Sequence, residues 1–264
     1  MSGALENGAD PADEPLLRTE GLTKRFGEFA AVDRVSIEVE RGEFRSIIGP
    51  NGAGKTMLFN LVSGTVRADA GSVVLAGEDI TDLPPHRRVD RGLARSFQIT
   101  SVFDHLSVRE NVRLAVQSTV YGGFDLRDAM FTPTERFGEI TERVDDVLAR
   151  VELDSRADVA AAELAYGQKR ALEVGLVLAL DPDLVLLDEP TAGMSSDETY
   201  DMIELVEEVF ADRTLVVVEH DIDLVMALSD TVTVLHQGRV LDEGAPESIS
   251  ESEAVQEAYL GGRR

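Results

Sequence analysis

The apolar residues of the chain follow patterns that predict strands in two regions. Between residues 16 and 48 they alternate in short bursts, with a turn at Arg41 and Gly42, as they do in β-strands. Three later runs consist of β-branched residues and leucine without interruption, which is typical of strands buried on both faces of a parallel sheet. These runs cover residues 184–187, 215–218 and 232–235. The pattern predicts an α/β protein in which a strand-rich layer precedes a mostly parallel core sheet.

Helical spacing divides the chain further. Apolar residues repeat at this spacing from Lys55 to Val62, and Gly64 is placed to end that helix. The spacing is helical again across much of 107–164, and a further helix is expected from about Gln168. The predicted units are a disordered acidic lead (1–15), the β layer with the first part of the core (16–97), a helical subdomain (98–167), and the rest of the core with the C-terminal tail (168–264).

Composition limits the classes of partner. The 264 residues include 50 acidic and 25 basic side chains, and the net charge of −25 would repel nucleic acid and anionic lipid. No apolar stretch approaches the roughly 20 residues of a membrane span, and the N-terminus lacks a secretory pattern. We expect a cytoplasmic protein that reaches the membrane only through protein partners. We interpret the acidic excess as an adaptation to a salty, halophilic cytoplasm.

No cysteine is present, which excludes disulfides and thiolate metal sites, and the four histidines are too scattered to form a local ligand motif. The clearest chemical motif is GPNGAGKT at residues 49–56, which we name the phosphate loop. It fits G-x-x-x-x-G-K-[ST], and it follows a predicted strand and opens a predicted helix, as the motif requires. Its glycines let backbone N–H groups surround phosphate oxygens, Lys55 reaches the β and γ phosphates, and the Thr56 hydroxyl can bind Mg²⁺. The predicted nucleotide-binding residues here are Gly49, Pro50, Asn51, Gly52, Ala53, Gly54, Lys55 and Thr56.

Two further strands end in polar residues. DLVLLDEP delivers Asp188 and Glu189 to the carboxyl end of a strand, where α/β sheets bind their ligands. Beside a phosphate loop, Asp188 is placed to hold Mg²⁺, and Glu189 to orient the attacking water or accept its proton. TLVVVEH ends with His220, which is placed to hydrogen-bond the γ phosphate. By themselves, the acidic pair would also suit a polar turn, and the histidine a capping role.

Together these motifs resemble the ATP-binding cassette (ABC) ATPase family from about residue 16 to residue 262. The family implies a P-loop NTPase fold with an antiparallel β layer, a helical subdomain, and ATP and Mg²⁺ as ligands. By resemblance, Gln98 senses Mg²⁺ and water, and Phe26 stacks on adenine. The family signature LSGGQ is read here as LAYGQ, so Ala165, Tyr166, Gly167 and Gln168 would face the γ phosphate held by a second subunit.

Departures from the general family pattern indicate which group of ABC ATPases the chain resembles most. Ala165 lacks the serine hydroxyl, Tyr166 replaces a glycine, and Ser195 stands where an aspartate is expected. The form LAYGQKRALE, with EPTAGMSSDET and a terminal AYLGG, resembles the ATPases of branched-chain amino acid importers and, next, those of urea importers. Histidine in place of Tyr166 would have favoured urea. The resemblance therefore implies an importer ATPase that clamps two ATP molecules between two cassettes.

The implied partners are transmembrane permease subunits, a second ABC ATPase in a homodimer or, as we expect, a heterodimer, and indirectly a solute-binding protein. Three alternatives stay open at this point. An exporter ATPase shares the overall pattern. A soluble ABC protein of DNA or ribosomes would usually bring paired cassettes or basic surfaces, against which the net charge of −25 argues. A regulator that binds ATP without hydrolysing it is expected to lack the base that Glu189 supplies.

Overall fold

The computed structural model of the protein describes residues 14–96, 102–120 and 134–260. Most of the predicted acidic lead, residues 1–13, lies outside this part. The strands are β1 (Leu17–Phe26), β2 (Phe29–Val39), β3 (Phe44–Ile48), β4 (Ala70–Leu75), β5 (Glu78–Asp79), β6 (Leu93–Arg95), β7 (Leu184–Asp188), β8 (Thr214–Val218), β9 (Thr231–His236) and β10 (Arg239–Gly244). The helices are α1 (Lys55–Val62), α2 (Pro85–Val89), α3 (Val108–Val120), α4 (Thr134–Arg150), α5 (Tyr166–Leu178), α6 (Ser196–Val209), α7 (Ile222–Leu228), α8 (Pro246–Glu251) and α9 (Glu253–Leu260).

The strands form two sheets of different character. The larger sheet has the order β10-β9-β3-β8-β7-β6, and its strands from β9 to β6 are parallel, while β10 pairs antiparallel with β9. The smaller sheet, β2-β1-β4-β5, is antiparallel throughout. The predicted α/β fold, with a mostly parallel core sheet and an antiparallel β layer, is confirmed.

The two faces of the large sheet are both covered, which explains the continuous apolar runs. In β7, Leu184 and Leu186 pack into the core shared with α1 and the small sheet. Val185 and Leu187, on the opposite face, pack into the core shared with the helices. Because successive side chains of a strand point to opposite faces, a strand between two cores must be apolar at every position.

The helical elements α3 and α4 pack against α5 around buried valines such as Val112, Val144 and Val174. The signature helix α5 begins at Tyr166 rather than at about Gln168, because Ala165 already has the extended backbone of an N-cap (φ −62°, ψ 161°). The earlier start places Tyr166 and Gly167 in the first turn of the helix. None of the described helices is long and apolar enough to cross a bilayer.

The strand ends determine where the site lies. β3, β7 and β8 are parallel neighbours, so their carboxyl ends meet at one edge of the large sheet. Residues 49–56 follow β3. Asp188 is the last residue of β7 and Glu189 follows it, while His220 follows β8 by two residues. Open α/β sheets bind ligands at this edge. The sheet therefore brings the residues predicted to bind and hydrolyse ATP to one edge, although they are far apart in sequence.

Candidate functional site

The phosphate loop joins β3 to α1 through backbone conformations that favour glycine. Gly49 has φ +152°, and a Cβ there would lie 2.2 Å from the Leu235 carbonyl oxygen. Gly54 has φ +106°, in the left-handed region, and a Cβ there would lie 2.5 Å from the Ala31 carbonyl oxygen. Both positions therefore exclude any larger residue. The loop keeps its backbone close to β2 and β9, and leaves its N–H groups at the start of α1.

Lys55 is buried at the start of α1. Its Nζ donates to the carbonyl oxygens of Gly49 at 2.6 Å and of Pro50 at 3.4 Å. Burial lowers the pKa of the Lys55 ammonium, and the carboxylates of Glu189 and Asp188 partly oppose this. The ammonium thus lies where bound phosphate would stabilise its charge.

A cavity of about 280 Å³ lies over the phosphate loop. Its lining brings together residues from the loop, from the small sheet and from the strand ends. They are Phe29, Ala31, Asn51, Gly52, Ala53, Gly54, Lys55, Thr56, Met57, Glu189 and His220. The loop, the base and the histidine predicted from sequence therefore share one cavity.

Asp188 is paired on one oxygen only. Its Oδ2 forms a buried ion pair with Arg95 at 2.9 Å, while its Oδ1 is buried with no hydrogen-bond partner among the described residues. A buried carboxylate oxygen without a partner is costly unless a cation or water completes it. Asp188 and the Thr56 hydroxyl are oxygen donors of the kind that Mg²⁺ prefers. The residues present therefore fit the expected ion.

Arg95, which ends β6, was not singled out by sequence reasoning. Besides Asp188 it donates to Asn60 Oδ1 at 2.7 Å and to Ser63 Oγ at 3.2 Å, and its guanidinium lies 5.5 Å from the centroid of the Phe59 ring. The residue was visible in RSFQIT, but only the pairing of β6 with β7 places it beside Asp188. Arg95 holds the Asp188 carboxylate in place, and neither residue lines the cavity.

Glu189 and His220 form a hydrogen-bonded pair across two strand ends. The distance from His220 Nε2 to Glu189 Oε1 is 3.0 Å. Glu189 has φ +51°, a left-handed conformation that is uncommon outside glycine and clusters at functional sites. Its backbone N–H donates to the Val218 carbonyl at 2.9 Å, which fixes the turn. The turn presents the carboxylate to the cavity while Asp188 faces inward.

Glu219 is a second residue that sequence reasoning missed. It is buried, and its Oε1 accepts the Thr191 hydroxyl at 2.7 Å and the Thr191 N–H at 3.2 Å. Its other oxygen accepts the N–H of His220 at 3.1 Å. Glu219 thereby ties the loop after Glu189 to the strand end that carries His220. A charged residue directly after the buried strand TLVVV was the available signal.

The signature residues lie away from the phosphate loop within one chain. Ala165, Gly167 and Gln168 line a different cavity, of about 710 Å³, between α5 and α6, and share no lining residue with the first. Gln168 Oε1 accepts the Ala165 N–H at 3.2 Å and so caps the helix start. Tyr166 is 47% exposed. The chain therefore holds two separated halves of the expected site.

Comparison with known proteins now decides the family. The family model described as ABC transporter matches residues 32–192. The chain belongs to the ABC transporter family. It is 38% identical to the high-affinity branched-chain amino acid transport ATP-binding protein BraF of Pseudomonas aeruginosa over 251 residues, which is 94% of this chain and 98% of that protein. It is 36% identical to LivG of Escherichia coli, named for the same transport, with the same two shares covered.

Solved ABC cassettes share the fold. The crystal structure of the ADP conformation of MJ1267, an ATP-binding cassette of an ABC transporter, superposes with a TM-score of 0.80 at 31% identity. The superposition covers 94% of this chain and 99% of that one. A nucleotide-free ATP-binding cassette from an ABC transporter gives 0.79 at 31% identity, with 93% and 98% covered. The predicted ABC ATPase fold is thus confirmed over almost the whole chain.

The ligand contacts expected for this ABC cassette stay predictions, among them those of Phe26 and Gln98. Phe26, the expected adenine contact, pairs with Phe29 across the β1–β2 turn, and both rings are more than half exposed. Phe29 lines the phosphate-loop cavity and Phe26 does not, while Lys24 Nζ lies 5.8 Å from the centroid of the Phe26 ring. Gln98 lies outside the described residues.

Proposed function

We propose that this chain is the ATP-hydrolysing subunit of an ABC importer for branched-chain amino acids. The observation that carries the proposal is the convergence of Lys55, Glu189 and His220 on one cavity, with the charge of Asp188 close enough to act on Lys55. In this set Lys55 supplies a cation for the phosphates and Glu189 supplies a base. A regulator that binds ATP without hydrolysing it would not need the base. BraF and LivG, which are named for branched-chain amino acid transport, support the solute class.

ATP binding begins at the phosphate loop. The N–H groups of the loop and of the first turn of α1 bind phosphate oxygens, and Lys55 exchanges its bonds to the Gly49 and Pro50 carbonyls for bonds to the β and γ phosphates. After the exchange, the buried Lys55 ammonium has anionic phosphate oxygens as partners instead of neutral carbonyl oxygens. Binding energy is therefore concentrated on the triphosphate.

Hydrolysis requires a water molecule in line with the γ phosphate. Glu189 accepts a hydrogen bond from that water and orients its oxygen toward phosphorus. His220 donates its Nε2–H to Glu189 Oε1 and so holds the carboxylate in position, and by exchanging this bond it would donate to the γ phosphate instead. As the P–O bond to the leaving ADP breaks, the water proton passes to Glu189 or to phosphate. The positive φ of Glu189 aims the carboxylate into the cavity before ATP arrives.

Mg²⁺ fits beside these residues. Thr56 and Asp188 would hold it, with Gln98 as the third predicted ligand, and the bound ion would neutralise part of the phosphate charge. Arg95 orients Asp188 through its Oδ2, which leaves Oδ1 without a partner in the described part of the chain and available to the ion. The arginine thus positions a metal ligand without touching the nucleotide.

A second cassette completes the site in this proposal. Because the signature helix lies apart from the phosphate loop of its own chain, its N-terminal N–H groups would meet the γ phosphate bound by the other cassette. The partner is a second copy or, as we propose, a related cassette. ATP-driven closure of the pair would move permease subunits, so that the chain works at the cytoplasmic face of the membrane and receives solute through a solute-binding protein.

The test is solute uptake by the complete transporter in proteoliposomes, prepared in high salt because salt screens the charge of −25. Leucine uptake that requires ATP and is lost in Glu189→Gln supports the proposal. The matched control is Glu207→Gln, an identical change at an exposed position of α6. Uptake of urea, export of solute, or uptake unaffected by Glu189→Gln would contradict it.

A further inference from the structure

Tyr166 stands where the family signature has a glycine, and its side chain turns toward its own subunit. The hydroxyl donates to the Ala192 carbonyl oxygen at 2.7 Å. Ala192 belongs to the loop of residues 190–195 that follows Glu189, which we name the post-base loop. The first turn of α5 is therefore bonded directly to the segment that leaves the catalytic glutamate.

Arg170, one turn along α5, fixes the direction of this bond. Its NH2 and Nε groups donate to the Tyr166 hydroxyl oxygen at 3.1 Å and 3.3 Å, and its guanidinium carbon lies 5.5 Å from the centroid of the tyrosine ring. Arg170 is itself held by Glu173 at 2.8 Å. Since the arginine occupies the acceptor side of the phenol oxygen, the single phenol proton points to Ala192.

The post-base loop is connected tightly to the base. The N–H of Ala192 donates to the Glu189 carbonyl at 3.1 Å, and Thr191 is bound through both its hydroxyl and its N–H to Glu219. Gly193 has φ +82°, and a Cβ there would lie 3.3 Å from the Tyr166 oxygen, so glycine keeps the approach open. Displacing Tyr166 would therefore shift backbone that is hydrogen-bonded to Glu189.

We propose that Tyr166 is a positioning residue that couples the two ATP sites of the cassette pair. The inference rests on the proposed function, in which α5 contacts the ATP held by the other cassette while Glu189 serves the ATP of its own. The Tyr166–Ala192 bond joins these two parts within one chain. Movement of α5 on the partner's ATP is thereby transmitted to the post-base loop, which follows the local base Glu189.

The test compares Tyr166→Phe with Tyr200→Phe in the assembled transporter. The first removes the phenol oxygen and keeps the ring, and the second makes the same change at a tyrosine of α6 that is 69% exposed. We expect Tyr166→Phe to lower kcat about five-fold, the effect of one net hydrogen bond, and to reduce the cooperativity of hydrolysis with ATP concentration. ATP affinity of the isolated subunit should stay unchanged, because Tyr166 does not line the phosphate-loop cavity.

Three results separate the possible failures. If Tyr166→Phe matches Tyr200→Phe in kcat and cooperativity, the coupling role is wrong while the ATPase remains. If ATP affinity of the isolated subunit falls in parallel with kcat, Tyr166 acts at the nucleotide cavity and the proposal is also overturned. If the wild-type transporter does not hydrolyse ATP, the proposed function itself fails.

Discussion

The expected ATP site has two halves in this chain, and they differ in how closely their residues match the family pattern. The phosphate-loop half consists of residues 49–56 with Asp188, Glu189 and His220, and the signature half consists of residues 165–168 at the start of α5. In the first, the loop, Asp188, Glu189 and His220 are all of the residue types that the chemistry requires, and the sheet edge gathers them. In the second, Ala165 and Tyr166 depart from the family pattern, yet the helix still forms and begins at Tyr166. In this chain the first half thus keeps the residue types of the family pattern, whereas the second half departs from that pattern at two positions.

The difference has a physical cause. Lys55 and Asp188 are buried, and a buried charge needs a partner of opposite sign and fixed geometry. In the proposed function the signature half would contribute mainly the N–H groups of a helix terminus, which any residue except proline supplies. The side chain at position 166 is then not needed for phosphate binding, and here it is hydrogen-bonded to the post-base loop.

The largest effect is expected from breaking the ion pair behind the phosphate-loop half. Arg95→Met leaves the Asp188 carboxylate buried and unpaired, so the free energy of unfolding should fall by about 3–5 kcal/mol. Urea denaturation measures this. The double variant with Asp188→Asn should recover part of the loss, because no unpaired charge remains.

The control for that experiment is Arg67→Met, which breaks an exposed ion pair with Asp82. Exposed pairs contribute roughly 0–1 kcal/mol, so the change should be small. Equal destabilisation by Arg95→Met and Arg67→Met would show that the buried pair does not support the site.

The next largest effect is expected on ATP affinity, and it differs between a lysine of the phosphate-loop half and a lysine of the signature helix. Lys55→Met should weaken ATP binding by the isolated subunit about 100-fold, because it removes charge-assisted bonds to the phosphates. Lys169→Met, on the signature helix, removes only a partly exposed ion pair with Asp104 and should leave that affinity unchanged. Isothermal titration calorimetry with ATP distinguishes them. A similar loss in both variants would contradict the division of the site.

The smallest effect concerns the orientation of Tyr166. Arg170→Gln removes the two guanidinium donors to the phenol oxygen but leaves the Ala192 carbonyl in place, so kcat of the assembled transporter should fall about two-fold, in the direction expected for Tyr166→Phe. Combining Arg170→Gln with Tyr166→Phe should add little further loss. Full additivity of the two losses would mean that Arg170 acts independently of the tyrosine.

Sequence patterns predicted the fold class and most of the phosphate-loop half because motif and context coincide there. GPNGAGKT lies between a strand and a helix, and Asp188 and Glu189 end an apolar run, so local sequence was enough to place them. Arg95 could not be found this way. Its role depends on the pairing of β6 with β7, two strands between which residues 96–183 intervene.

The hydrogen bond of Tyr166 to the post-base loop could not be predicted from sequence for a similar reason. The residue was expected at the γ phosphate of a partner subunit, by its place in the signature, but its hydrogen bond to Ala192 depends on how α5 packs beside the post-base loop. The start of α5 also shifted to Tyr166 because Gln168 caps the helix from within. Long-range packing and capping geometry decide both features.

The most direct test of the central claim is the steady-state ATPase rate of the assembled transporter carrying Glu189→Gln, measured beside Glu207→Gln. If Glu189 is the base in the phosphate-loop half, its loss lowers kcat by about 100-fold or more while the isolated subunit still binds ATP. Glu207→Gln should leave the rate unchanged. Equal rates for the two variants would contradict the assignment and favour a cassette that binds ATP without needing this base.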